Sequence, residues 1–479
     1  MKWCFILSDD FYLPEFLGKI AYQVVKEGDE CIVAVNSKIA EYDKQKYFPE
    51  NAEFLSKVDW CIENCKKNKE IVFSGLSWKE FFPTFIRKTK TLCCDYNNSV
   101  EIISQLYQFF DFIIQKKRPD IIISEPPSNV SNGIAYHLCK KNNVIYLGLM
   151  SSRFENRIDA YDLEHTCSKY EEEFNKILDS TIPEDEREFA RNFIEDFISH
   201  KKKPSYMKVA VNWFYETNFI THYAKRIKQV CRPWIRYLLK RNELKTFDYE
   251  SENRLKNVPL APLAGIKSWF RFLVQPDKFD SPNNTDRFFL FPLHVQPEAS
   301  TSVLATYFYD QLNTVRNIAF SLPFTYKLYV KEHPEAIGTR PSNFYKELRN
   351  IPNVCLIASH EKVGNLIKNS CGIITLTSTI GMETVLVGKP VYLLGKVFYS
   401  YHPLCKKINS FEELKQILET DLINKPNIFN LEEINIRFII SYFRNTIPGD
   451  LLLGSRENDT NDYKVVFEKI RDIFKRLIQ

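Results

Sequence analysis

The sequence predicts an α/β protein made of two Rossmann-like halves with a helical insertion between them. Three observations carry this. Short continuous apolar runs, such as Trp3-Cys-Phe-Ile-Leu and Phe288-Phe-Leu-Phe, alternate with amphipathic stretches of helical period. Strands covered on both faces by crossover helices read this way. The alternation comes in two blocks, 1–165 and 286–458, separated by a stretch of different composition. Polar and ionisable residues gather just past the C-terminal ends of the apolar runs, the edge where open α/β sheets bind ligands. A chain of 479 residues also exceeds one ordinary core, so two domains are expected.

Taken in order, residues 3–7 form the first strand. Pro14 opens a helix with apolar residues at Phe16, Leu17, Ile20, Ala21, Val24 and Val25, and Gly28 closes it. Strands are expected at 31–35, 71–73, 119–125 and 144–149, with helices over 99–117 and 132–142. Asp9 and Asp10 follow the first strand. Glu125 opens the loop Glu125-Pro-Pro-Ser-Asn, and Arg153 lies in a polar segment, 151–165, that leaves the same edge. Residues 166–285 read as the insertion and linker: acidic and helical to 200, basic and aromatic over 201–245, then polar and Pro-containing. The second block is expected to hold strands at 288–293, 327–330, 354–357, 372–376 and 391–394, with a helix over 301–321. A terminal amphipathic helix within 459–479 is expected to pack back toward the first block.

Composition excludes several classes. Hydrophobic content of 44% with 26% charged residues is globular, and mean hydropathy is −0.30. No run approaches about 20 apolar residues, so no transmembrane helix is expected. The N-terminus reads as a strand, not a signal peptide. The 12 cysteines are scattered, without paired metal-ligand spacing, and read as reduced, mostly buried thiols of a cytoplasmic protein with no zinc site. Net charge is only +5, but Lys201–Lys203, Lys208, Lys225, Arg226, Lys228, Arg232, Arg236, Lys240, Arg241 and Lys245 face only Glu216 and Glu243. Trp213, Tyr215, Phe219 and Trp234 lie among them. Such a stretch suits an anionic membrane surface, or else a helical hairpin whose cations face water. It carries no nucleic-acid motif.

Three motifs carry the chemistry. In Lys331-Glu-His333-Pro334, the His can donate a ring N–H to a phosphate or transfer a proton, and Pro334 fixes the turn that holds it. The alternative is a His satisfied locally. Thr377-Ser378-Thr379-Ile-Gly381-Met-Glu383 is a hydroxyl-rich turn into a helix, where amides, hydroxyls and a close-approach Gly suit an anion and Glu383 suits a ribose diol. An acid there also complements the helix dipole. In His294-Val-Gln296-Pro-Glu298, the carboxylate is either a general base or a helix cap, and His294 and Gln296 are candidate substrate contacts beside Asp10 and Arg153. The first block has no GxGxxG, so NAD is not expected.

Lys-x-His-Pro, followed by Thr-x-Thr-Ser-Thr-x-Gly-x-Glu-x-x-x-x-Gly-Lys-Pro-Val, resembles the bacterial capsule polysaccharide biosynthesis proteins, including the capsular Kdo transferases. The resemblance covers about 286–400 by motif and the first block only by pattern. It implies a GT-B fold, two Rossmann-like domains facing a cleft, at the inner face of the cytoplasmic membrane. It implies transfer of Kdo or another ulosonic acid from a CMP-linked donor to a polysaccharide or glycolipid acceptor, without metal or other cofactor, alongside capsule assembly proteins. By the resemblance, His333, Pro334, Ser378 and Thr379 hold the CMP phosphate and nucleotide. Lys331, Thr377, Gly381 and Glu383 complete the candidate nucleotide site. Glu298 and Glu125 are the candidate bases. The resembled Kdo enzymes place Gln near Asp in the first loop, whereas this chain has His294-Val-Gln296-Pro-Glu298. A non-hydrolysing sugar-nucleotide 2-epimerase and a non-catalytic scaffold are the two rival readings.

Overall fold

The computed structural model describes residues 1–7, 13–36, 38–65, 76–78, 96–161, 168–199, 279–296, 298–336, 338–341, 343–424, 428–452 and 459–478. Asp10, the strand expected at 71–73 and the basic stretch 201–245 lie outside these residues. The described chain forms two compact α/β units.

In the first unit, β1 (Lys2–Ile6), α1 (Leu13–Lys26), β2 (Glu30–Val35), β3 (Glu53–Ser56), α2 (Tyr96–Phe112), β4 (Ile121–Ser124), α3 (Val130–Lys141), β5 (Ile145–Ser151) and β6 (Arg157–Tyr161) follow in order. The strands lie as β6-β5-β4-β1-β2-β3, parallel except for β6. Side chains of β1 alternate between two cores. Trp3 and Phe5 join Phe16, Leu17 and Ile20 of α1, whereas Cys4 and Ile6 join Phe109 and Phe110 of α2 and Ile134 of α3. This two-sided burial is why β1 reads as one unbroken apolar run. Strand order reverses between β1 and β4, and the Ser124 hydroxyl crosses that point to the Ile6 carbonyl at 2.9 Å. Sequence reading misses β3 and β6 because both are short and carry polar residues, with no apolar run to mark them.

The second unit begins with α4 (Ser168–Ile177) and α5 (Glu184–Ile198). The sequence reading groups these acidic helices with the insertion, but they pack into this unit. Tyr170 meets Tyr442 edge-on at 5.1 Å, and Arg187 pairs with Glu433 at 2.7 Å. The sheet then takes β7 (Phe288–Pro292), α6 (Gln311–Ser321), β8 (Lys327–Lys331), α7 (Phe344–Arg349), β9 (Val354–Ile357), α8 (Val363–Asn369), β10 (Ile373–Thr375), α9 (Ile380–Leu386), β11 (Val391–Leu393), β12 (Cys405–Lys407), α10 (Phe411–Ile423) and α11 (Leu431–Arg444). All six strands are parallel, in the order β12-β11-β10-β7-β8-β9. That is a doubly wound order whose switch point falls between β7 and β10. Phe289 and Phe291 bury toward α6 and α7, and Phe288 and Leu290 toward α8. β12 is a further strand the sequence hides, again three half-exposed or exposed residues at an edge. The helix expected over 301–321 is broken. Asp310 accepts the Asn313 amide at 3.1 Å and caps a new helix, so regular helix runs only from Gln311.

After Asn445 the chain re-enters the first unit. There β13 (Ile447–Pro448) pairs antiparallel with β6, and α12 (Tyr463–Ile478) packs on α1 through Val466, Phe467 and Ile470. The eight described cysteines are free thiols.

Candidate functional site

The switch point of the second unit is built from the loops that follow β7, β8 and β10, and hydrogen bonds join all three. His294, just past β7, is the central piece. It is 6% exposed. Gln311 at the start of α6 accepts its backbone N–H at 2.7 Å and donates to its carbonyl at 3.0 Å. Its Nε2 accepts the Thr377 amide across the crevice at 3.2 Å. The Thr377 hydroxyl donates to the Ser300 carbonyl at 3.0 Å, a second tie between the β7 and β10 loops. An accepting Nε2 means that the ring proton sits on Nδ1. Burial, then the neighbouring His333 and Arg340, pushes the His294 pKa down to about 3. The ring is therefore neutral at every physiological pH.

The β8 loop is tied in through a buried carboxylate. Glu332 is 1% exposed and takes Arg340 in a bidentate pair, Nε to Oε2 at 3.0 Å and Nη2 to Oε1 at 2.8 Å. It also accepts the Tyr345 hydroxyl at 2.5 Å and the His333 amide at 2.6 Å. Arg340 Nη2 further donates to the His294 carbonyl at 3.0 Å. His333 Nδ1 accepts the Glu335 amide at 3.2 Å, which leaves the proton on Nε2. Burial foremost, and also Arg340 and Lys331, lowers the His333 pKa against the opposing pull of Glu332. The imidazole thus stands neutral, and no hydrogen bond of its Nε2–H is recorded among the described residues.

The Thr377–Glu383 turn is narrower as an anion site than its sequence suggests. α9 has only seven residues, and most amides at its start are already used. Thr377 N–H goes to His294, Ser378 N–H to the Thr375 hydroxyl at 3.2 Å, and Ile380 N–H to the Ser378 hydroxyl at 3.2 Å. The Thr379 amide and hydroxyl have no recorded partner among the described residues, and the Ser378 hydroxyl keeps its proton to donate. Gly381 has a packing reason. Tyr399 donates to the Ser378 carbonyl beneath the turn, and a Cβ at Gly381 would stand 2.3 Å from its oxygen.

The other expected residues are placed as follows. Lys331 is buried and donates to the Ser359 carbonyl at 2.6 Å, so its head lies under the loop after β9. Burial pulls its pKa down to about 8. Pro334 opens the short turn Pro334–Ala336 that follows His333. Glu298 is half-buried and accepts the Ser300 hydroxyl at 3.0 Å. Gln296 donates to the Tyr309 carbonyl. Glu383 lines a pocket of about 290 Å³ with Ile198, Gly364, Ile367, Val387 and two lysines, Lys368 and Lys389. In the first unit, Glu125 Oε1 accepts Ser128, Asn129 and Asn132 at 3.0, 3.1 and 3.2 Å, and half-buried Arg153 lies between β5 and β6.

Burial raises the Glu383 pKa from 4.5 to about 7. A carboxyl raised in the folded state contributes stability below its unfolded pKa, and that contribution is lost as pH rises through the folded value. Glu383→Gln is therefore expected to leave the melting temperature unchanged near pH 4 and to raise it by about 3 °C near pH 8. A gain of equal size at both pH values, read by calorimetry, would contradict the assignment.

Residues 276–421 match the capsule polysaccharide biosynthesis protein family. No curated protein matches the chain. Among solved structures, the chain is similar to a KpsC β-Kdo 2,7-transferase of Thermosulfurimonas dismutans at 14% identity, covering 78% of this chain and 96% of that one, with a TM-score of 0.36. The β-Kdo 2,4-transferase of the same organism's KpsC gives 13% identity, 67% and 79% coverage, and a TM-score of 0.35. A UDP-GlcNAc 2-epimerase of Methanocaldococcus jannaschii gives 11% identity, 93% and 99% coverage, and 0.25. The fold assignment rests on strand order, not on these loose likenesses. The motifs read from sequence contain His294, His333 and the Thr377 turn. Glu332 lies inside the Lys331–Pro334 motif without a role read for it, and Gln311, Arg340, Tyr345 and Tyr399 lie outside every motif.

Proposed function

We propose that this chain is a glycosyltransferase of capsule or surface-polysaccharide assembly that takes its sugar from a nucleotide donor, with a CMP-linked ulosonic acid such as Kdo favoured. One observation carries the reading. Three strand-end loops at a switch point are locked together by hydrogen bonds, leaving the His333 Nε2–H, the Thr379 amide and the Ser378 and Thr379 hydroxyls as donors. Such a set suits a phosphate oxygen whose charge grows as the glycosidic bond breaks. The bond between the sugar carbon and the phosphate oxygen breaks, and CMP leaves with the electron pair. The acceptor hydroxyl attacks that carbon and gives its proton to a carboxylate. Glu298 is the better candidate for that carboxylate, because it lies in the loop joined to this site, whereas Glu125 Oε1 already accepts three donors. These donors supply the charge stabilisation, so the reading invokes no cofactor. The acceptor is a polysaccharide or glycolipid.

No described helix is long and apolar enough to cross a membrane. The basic aromatic stretch 201–245 supports, from sequence alone, association with the anionic inner face of the cytoplasmic membrane, beside other capsule assembly proteins.

A thermal-shift screen of CMP, UDP, GDP and CDP tests the reading. CMP is expected to stabilise the protein most. Ser378→Ala with Thr379→Ala is expected to weaken CMP binding by about 10- to 100-fold, the loss of two hydroxyls that donate to a charged group. Unchanged affinity would remove these residues from the site. Conversion of a UDP-sugar without an acceptor would favour an epimerase, and no nucleotide binding at all would favour a scaffold.

A further inference from the structure

We propose that Arg340 is a positioning residue that fixes the spacing between the two halves of the nucleotide grip, His333 on one side and the Thr377–Thr379 turn on the other. This rests on the nucleotide reading above and adds a residue to it that no motif contains.

Arg340 lies eight residues past Glu332 and 46 past His294, and its side chain is 5% exposed. A single nitrogen, Nη2, reaches Glu332 Oε1 at 2.8 Å and the His294 carbonyl at 3.0 Å. On one side, Glu332 holds the His333 amide at 2.6 Å. On the other, the His294 ring holds the Thr377 amide at 3.2 Å. The path from His333 to Thr377 is thus unbroken: amide, carboxylate, guanidinium, carbonyl, imidazole, amide. His294, a candidate substrate contact by sequence, has its carbonyl and its ring Nε2 spent on this path.

A buried ion pair returns little net stability over a well-packed apolar replacement, so stability alone is a weak reason to bury one here. A planar guanidinium can hold a carboxylate bidentately while a shared nitrogen reaches a second acceptor in fixed geometry. An ammonium on a flexible stem cannot. The guanidinium also lies 5.0 Å over the Phe344 ring, which restricts its rotation.

Arg340→Lys keeps the charge against Glu332 and removes the fork. Amide hydrogen exchange at His333 and Thr377 is expected to quicken together, by about 10-fold at both. Tyr345→Phe takes one donor from Glu332, leaves the bridge to His294 in place, and is expected to move both amides in the same direction by less. It also serves should Arg340→Lys fail to fold. Faster exchange at His333 with Thr377 unmoved, in either folded variant, would overturn the proposal. The exchange readout needs no nucleotide, so it stands apart from the nucleotide reading. CMP titration of wild type tests that reading separately. With CMP bound, the losses from Arg340→Lys and His333→Ala are expected to be less than multiplicative by about 3-fold or more. Fully multiplicative losses would mark Arg340 as structural only.

Discussion

Replacing His333 with alanine is expected to lower kcat/KM for sugar transfer by about 100-fold or more while the melting temperature moves by less than about 2 °C. The local geometry sets both halves of this expectation. The imidazole has one recorded internal bond, from the Glu335 amide to Nδ1 at 3.2 Å, and that bond fixes the tautomer that presents Nε2–H. Losing it costs the fold about 1 kcal/mol, whereas losing the donor removes a hydrogen bond that strengthens as the phosphate departs. The neutral state of the ring matters too. Its pKa is lowered by burial, so at pH 7 it acts as a hydrogen-bond donor and not as a fixed cation. Steady-state kinetics beside calorimetry on the same sample checks the prediction. A collapse of folding with proportionate loss of activity would show His333 to be a core residue.

Glu332→Ala is expected to do the opposite, lowering unfolding free energy by about 3–5 kcal/mol. Removing the carboxylate leaves the Arg340 guanidinium buried and unpaired, and strips the acceptor from the Tyr345 hydroxyl and the His333 amide. Replacing both members, Glu332→Met with Arg340→Met, is expected to cost less than the single change, because no uncompensated charge remains. Urea unfolding of the single and double variants separates these cases. A single variant within about 1 kcal/mol of wild type would show that water or a neighbour already compensates Arg340.

The strands of the second unit were legible because each is buried on both faces. Phe288 to Phe291 must be apolar throughout, and no helix of such length and composition competes with that reading. The motifs were legible because chemistry-bearing residues at strand ends break an apolar run abruptly. What lay beyond sequence was contact. Arg340 sits in a loop without periodicity, and nothing local says that its partner is eight residues back while its second acceptor is in the loop after β7. Gln311 looks like an ordinary first-turn residue until β7 and α6 are packed together. Gly381 illustrates a right residue with a different cause. Its missing side chain makes room for Tyr399, whose ring the sequence places 18 positions away. The strands β3 and β12 escaped because short edge strands need neither an apolar run nor strict alternation, and β6 escaped because its five residues mix Arg157 and Asp159 with apolar ones between β5 and β13.

A crystal structure of the protein with CMP tests the account most directly. The account predicts a phosphate oxygen about 3 Å from His333 Nε2 and from the Thr379 amide, with His294 still accepting the Thr377 amide. CMP bound elsewhere in the second unit, with His333 and Thr379 making no contact to it, would contradict it.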